Sequence, residues 1–173
     1  MTSKAQCHQE QRAVVRAARP ADVEAILGLI RELAQYERLE HQMHASAADL
    51  HAHLFGTPPA CEALVAEAAG RVVGYAVFLG AYSTFLTRPT LYLEDLYVTP
   101  QMRGTGLGKA LLAQVAAVAV QRRCPRLDWT VLEWNRPAID FYRRLGAELA
   151  DPWRLCRLDG DALARLAAGA GTI

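Results

Sequence analysis

The sequence predicts an α/β fold built on a mixed sheet, and three observations carry the prediction. Residues 62–68 and 71–79 are two strand-like runs around Ala69-Gly70, a hairpin signal. Residues 91–98 run as a strand into a glycine-rich turn, and a long apolar helix over 110–120 follows. Another strand-like run, 126–132, comes after that helix. Antiparallel pairing early and a strand–helix–strand crossover late give a mixed sheet flanked by helices.

Taken in order, residues 1–12 are mostly polar and read as a flexible lead, and 13–18 as a first strand. Pro20 and Asp22 open a helix, with Asp22 expected at its N-cap. Val23, Ile26, Ile30 and Leu33 share one face of it, with Leu29 beside them. Ser46-Ala47-Ala48-Asp49 resembles a capping box, Asp standing in for Glu, and opens a short helix ending at Phe55. Gly56-Thr57-Pro58-Pro59 stops it. Gly74, inside the second hairpin strand, predicts a bulge. Residues 137–145 form a helix with Asn135 as N-cap, Pro137 in the first turn and Gly146 at the C-terminal cap. A late strand over 154–158 and a helix over 161–167 complete the order, and 169–173 form a tail. With no internal repeat and no linker, residues 13–168 read as a single domain.

Bulk properties remove several function classes. Hydrophobic residues make up 52%, but no run reaches the ~18 uncharged apolar residues of a membrane span. The N-terminal residues lack an apolar signal core. With 19 basic and 18 acidic residues, nothing suggests a nucleic-acid surface. Cys7, Cys61, Cys124 and Cys156 are scattered, without a Cys-x-x-Cys pair, and fit reduced thiols in a cytoplasmic protein. His41, His44, His51 and His53 lie close in sequence but straddle a predicted helix boundary with no cysteine nearby. They read as a solvated face, and no metal is expected.

The turn Thr99-Pro-Gln-Met-Arg-Gly-Thr-Gly-Leu-Gly-Lys109 carries the most information. Glycines let the main chain approach a ligand, and the following helix N-terminus adds partial positive charge. Arg103 and Lys109 bracket the turn, so the ligand expected here is a phosphate or pyrophosphate. A Walker A loop fails, because Arg103 stands where its first Gly belongs and Ala110 follows the Lys. A dinucleotide fingerprint fails because Lys109 occupies its third Gly position. What remains is Arg103-x-x-Gly106-x-Gly108.

That pattern resembles the acetyl-CoA pyrophosphate loop of the GNAT acetyltransferases. A second GNAT-like pattern follows at the expected distance: Asn135-x-x-Ala138-x-x-x-Tyr142-x-x-x-Gly146. Leu33-Ala34-Gln35-Tyr36-Glu37, Tyr92-Leu93-Glu94-Asp95, Glu133-Trp134-Asn135 and Trp153 are similar to the spermidine/spermine N-acetyltransferase branch and its thialysine relatives. The resemblance runs from about residue 15 to 166. It implies a twisted mixed sheet whose central parallel strands splay to admit acetyl-CoA, usually in a homodimer.

Acetylating an amine requires a proton acceptor, a held thioester, donors for the oxyanion and a proton for the leaving thiolate. Tyr142 is the candidate acid: a phenol near pKa ~10 can protonate a thiolate whose thiol lies near ~8.5. Glu94 is the candidate base and amine anchor. Glu94 and Asp95 are adjacent on a strand and are expected on opposite faces, Asp95 serving the channel or an ion pair. Coenzyme contacts implied by the resemblance are Leu96, Tyr97 and Val98, then Arg103, Gly104, Thr105, Gly106, Leu107, Gly108 and Lys109, then Asn135, Pro137 and Ala138. Amine anchors implied by it are Tyr36, Glu37, Glu94, Asp128, Trp129 and Asp151, with Trp153 as a wall.

One departure bears on the substrate. The spermidine enzymes carry an acidic residue and a Trp in the loop before the Tyr-Leu-Glu-Asp strand. Here that loop offers Ser83, Phe85 and Arg88. Weight therefore moves from long polyamines toward thialysine-like amino acids or another small primary amine. The competing readings are a protein or peptide lysine acetyltransferase and a non-catalytic coenzyme A- or polyamine-binding partner protein.

Overall fold

The computed structural model describes residues 13–170, and the chain divides after Thr130 into two compact units. The first unit holds a five-stranded sheet in the order β1-β2-β3-β4-β5. Its strands are β1 (Val14–Ala17), β2 (Glu62–Ala68), β3 (Arg71–Ser83), β4 (Arg88–Val98) and β5 (Leu127–Asp128). The first four pair antiparallel and β4 pairs parallel with β5, so the sheet is mixed as the element order predicts. Helices α1 (Val23–Glu37), α2 (Ala47–Phe55) and α3 (Leu107–Gln121) flank it.

The α1 side of the sheet encloses Ile26, Leu29, Leu54, Val65, Tyr75, Val77 and Tyr97. The alternate residues Leu64, Ala76 and Phe78 face the other way. On α3, which packs across β1 to β4, Leu111 and Val115 are fully buried. Each fully buried aliphatic side chain stabilises by about 1.5–3 kcal/mol.

Local chemistry explains the element ends. The Ser46 hydroxyl accepts from the Asp49 N–H at 3.1 Å and donates to its carboxylate at 2.6 Å, so the expected cap opens α2. Asp22 departs from expectation. It makes no side-chain cap to α1. Its carboxylate instead takes two bonds from the Arg16 guanidinium, at 2.7 and 2.9 Å, and one from the Arg19 N–H. Arg16 also reaches Glu67, tying β1 to β2 and to the start of α1. A two-pronged guanidinium bond outcompetes a single cap bond.

β2 has its predicted bounds, whereas β3 and β4 run longer than predicted, so only four residues separate them. The bulge predicted near Gly74 is real, with Val73 as the extra residue between the pairs Ala66–Gly74 and Glu67–Val72. Gly74 itself serves close approach, since a Cβ there would sit 2.8 Å from the Tyr97 carbonyl oxygen.

The strand predicted over 126–132 shrinks to two residues, because β4 accompanies it only at Leu91 and Tyr92. In the second unit α4 (Arg136–Arg144) and α5 (Gly160–Ala168) form, but the strand predicted over 154–158 does not. Those residues have no ladder partner among the described residues and are exposed throughout, so nothing compensates the ordering of a strand. Gly146, in the left-handed region, closes α4: its N–H donates to Arg143 and the Ala147 N–H to Tyr142. The predicted lead over 1–12, with Cys7, and the last three tail residues lie outside the described residues.

Candidate active site

The site begins where the sheet opens. β4 pairs with β5 at two positions, and Leu93 to Val98 then continue with no ladder partner on that side among the described residues. Backbone donors and acceptors left over in this way are available to a ligand. Leu96, Tyr97 and Val98, expected to contact the coenzyme, lie on this free stretch.

The turn after β4 is shaped for an anion. Gly104 and Gly106 have φ of 77° and 91°, a region closed to most residues. The Thr105 hydroxyl donates to the Met102 carbonyl at 2.7 Å and closes the loop. Gly106 starts α3 with no side-chain cap, so the first-turn N–H groups of a 15-residue helix are not consumed by one. Leu107 is buried beneath the turn, while Gly104, Thr105 and Lys109 are exposed. This arrangement fits the pyrophosphate of acetyl-CoA. Arg103 behaves differently from a free phosphate-facing cation. Its Nε donates to the Val98 carbonyl at 3.1 Å, and its guanidinium lies over the rings of Tyr36 and Tyr97.

The acidic groups gather beside the same strand. The β3–β4 ladder slips between Val77–Asp95 and Phe78–Leu93, leaving Glu94 as the extra, bulged residue. A bulge suspends the strict alternation that sequence reading applies to Glu94 and Asp95. Glu94 is exposed and Asp95 partly buried, yet the Glu94 charge still acts on Asp95. Burial raises the Asp95 pKa, Glu94 raises it further, and the hydroxyl of Tyr75, donating at 3.0 Å, opposes both. Glu37, the last residue of α1, is also raised, first by burial and then by Asp95. Cys61 shows the reach of the cluster: burial raises its thiol pKa, with Glu94 and Glu62 adding to it.

The remaining candidate residues lie on or after β5 and in the second unit. Asp128 is held by Arg126 at 2.8 Å, and Trp129 follows it, partly buried. In the second unit, the Asn135 side chain caps α4 by accepting from the Ala138 N–H at 3.3 Å, with Pro137 in the first turn. Tyr142 is partly buried one turn on, its ring 5.2 Å from that of Phe141. Asp151 and Trp153 are exposed. Sequence reading passed over Tyr75, because a tyrosine in an apolar strand reads as core. Its alternation with Val77 places it on the α1 face, which was the available signal. No group of three metal-ligating side chains occurs among the described residues.

Comparison with known proteins agrees with this geometry. The family model described as Acetyltransferase (GNAT) family matches residues 24–147, across the boundary between the two units. A thialysine N-epsilon-acetyltransferase of Bos taurus is 42% identical over 165 residues, covering 89% of this chain and 96% of that protein. An L-ornithine N5-acetyltransferase of Arabidopsis thaliana is 31% identical, covering 86% of this chain and 85% of its own length. Among solved structures, an integron cassette protein from the mobile metagenome of V. cholerae superposes with a TM-score of 0.74 at 27% identity. That match covers 90% of this chain and 97% of the other.

Proposed function

The chain belongs to the acetyltransferase (GNAT) family, and from that premise we propose that it moves the acetyl group of acetyl-CoA onto the amine of a small thialysine-like amino acid. The observation that carries this reading is the parting of β4 from β5 after Tyr92, with Glu94 and Asp95 just beyond it and the uncapped α3 turn following.

The amine arrives mostly as ammonium and must lose a proton before it can react. Glu94, exposed on its bulge, accepts that proton directly or through water. The nitrogen bonds to the thioester carbonyl carbon as the carbon–sulfur bond breaks. Tyr142 gives its phenolic proton to the departing thiolate and regains one from solvent, while the acylated nitrogen sheds its second proton to solvent to leave the neutral amide. Backbone N–H groups of Leu96 to Val98 hold the carbonyl oxygen. The turn from Arg103 to Lys109 holds the coenzyme phosphates, and Asn135, Pro137 and Ala138 are assigned coenzyme contacts by family resemblance alone. Tyr36, Glu37 and Trp129 line the amine site, and Asp151 and Trp153 keep amine-binding roles by family resemblance alone. Asp128 contributes less there because Arg126 already neutralises it.

Three things favour an amino acid over a polyamine. Arg88 is exposed on the β3–β4 hairpin. Ser83 is buried and uses its oxygen to accept from the Leu86 N–H, so this position adds no negative charge. The bovine and Arabidopsis relatives are named for amino acids bearing a side-chain amine. A cytoplasmic homodimer completes the proposal, with residues 13–168 acting as one domain. Exposed Leu155, Leu158, Leu163 and Leu166 offer apolar area for association. No helix among the described residues is long and apolar enough to cross a membrane.

A thiol-release assay with acetyl-CoA and a panel of thialysine, putrescine, spermidine and a lysine peptide tests the reading. Turnover on the amino acid supports it. Turnover on the peptide alone would make the protein a lysine acetyltransferase, and binding without turnover would make it a coenzyme-binding partner.

A further inference from the structure

The hydroxyl of Tyr75 is the least expected polar group near the site. The residue is fully buried in the apolar cluster under α1, its ring 6.4 Å from that of Tyr97. A phenol there needs a partner, and it finds the Asp95 carboxylate at 3.0 Å. The register slip that makes Glu94 bulge lies immediately beside Asp95. The strand is thus pinned from the core at the point where it is irregular.

The surrounding charges give this bond a consequence. Glu37 from α1 and Glu94 from β4 both act electrostatically within the cluster. Tyr97, on the same strand, donates to Glu32 of α1 and carries Arg103 over its ring. Cys61, ahead of β2, senses Glu94. Arg103 is already engaged by Val98 and the two tyrosine rings. Among the described residues, no cation contributes to the shifts of Glu37 or Asp95. Among the described residues, these carboxylates make no ion pair, and a protonated amine supplies one.

We propose that Tyr75 is a positioning residue for amine capture: from inside the core it fixes the Asp95 carboxylate, so that Asp95, Glu37 and Glu94 together form the negative wall that receives the substrate ammonium. The inference rests on the amine acetyltransfer reading and assigns Asp95 to the substrate wall rather than to a structural ion pair. It also makes the wall sensitive to pH. The Tyr75 bond favours ionised Asp95, so its loss moves Asp95 ionisation to higher pH.

The test compares wild type, Tyr75→Phe, Asp95→Asn and the double variant. Melting curves establish that each is folded, and kcat and KM are read for thialysine across pH. Tyr75→Phe is expected to raise the amine KM about tenfold, with acetyl-CoA affinity unchanged. The acidic limb of kcat/KM should move up by about one pH unit. In the Asp95→Asn background, which keeps an oxygen for Tyr75 but removes the charge, Tyr75→Phe should move neither quantity further. A uniform fall in kcat with no movement of the limb, or additive effects, would overturn the proposal. Titration of 13C-labelled aspartate carboxyls provides a readout independent of turnover. If wild type acetylates no amine, the acetyltransfer reading fails, and an upward Asp95 shift in Tyr75→Phe still supports the positioning bond. An unmoved Asp95 titration overturns the positioning bond whether or not the enzyme turns over.

Discussion

The guanidinium carbon of Arg103 lies 4.9 Å from the centre of the Tyr36 ring, so the glycine-rich turn is braced against the last turn of α1. The same group lies 5.5 Å from the centre of the Tyr97 ring and donates to the Val98 carbonyl. Arg103 thus joins the glycine-rich turn to the helix that ends in Glu37. Two cation–π contacts and one charged hydrogen bond together contribute about 2–3 kcal/mol. Arg103→Met is expected to lower Tm by roughly 4–10 °C, and Arg103→Lys to recover only part of that, lacking the planar fork. Melting curves check this. A Tm within a degree of wild type would mean that the brace does not contribute.

Gly106 has φ of 91° and no neighbouring atom within 4 Å of an added Cβ. The protein therefore has space for a side chain there, but the backbone conformation does not suit one, and a pyrophosphate would compete for that space. Gly106→Val is expected to cost about 1–2 kcal/mol of stability and to weaken acetyl-CoA binding by more than about tenfold. Calorimetry on the folded variant measures the second effect. Unchanged affinity would remove the turn from the coenzyme site.

Much of this was legible from the chain. Ser46 and Asp49 predict their own cap, Gly146 its left-handed closure, and the Arg/Gly spacing its turn, because each depends on neighbours a few residues away. Features set by distant partners were not legible. The bulge at Glu94 exists only in the register of the facing strands. Asp22 looks like a cap until Arg16 folds onto it. Residues 154–158 have strand composition, but strand structure requires a partner to pair with. The acidic cluster divided the same way: Glu37, Glu94 and Asp95 stand in motifs, whereas the Tyr75 bond exists only where its hydroxyl meets Asp95.

Glu94→Gln removes the proposed proton acceptor while keeping shape. Turnover is expected to fall by about 100-fold. The fall should be steepest at low pH, where free amine is scarce. A pH–rate profile parallel to that of wild type and only slightly displaced would remove Glu94 as base.

Asp22 predicts a pH dependence of stability. The Arg16 guanidinium holds its pKa below the ordinary carboxylate value. A depressed folded pKa stabilises above the unfolded value of ~3.9, and the contribution disappears as pH falls through the folded value. Wild type should therefore exceed Asp22→Asn by about 2 kcal/mol at neutral pH, with the gap closing below about pH 4. Denaturant unfolding across pH measures it. A gap that stays constant down to about pH 2 would show that the ion pair contributes nothing beyond shape.

The central claim concerns which amine is acetylated. Spermidine carries about three positive charges near neutral pH, since ordinary amine pKa values lie near ~10. In the proposed reading Arg88 opposes such a chain, and each misplaced charge in a partly desolvated channel costs on the order of 1 kcal/mol, roughly five- to tenfold in specificity. The direct test is kcat/KM for thialysine and for spermidine on one preparation with acetyl-CoA. The account predicts a preference for thialysine of at least about tenfold, narrowed by Arg88→Glu. A tenfold preference for spermidine would contradict it.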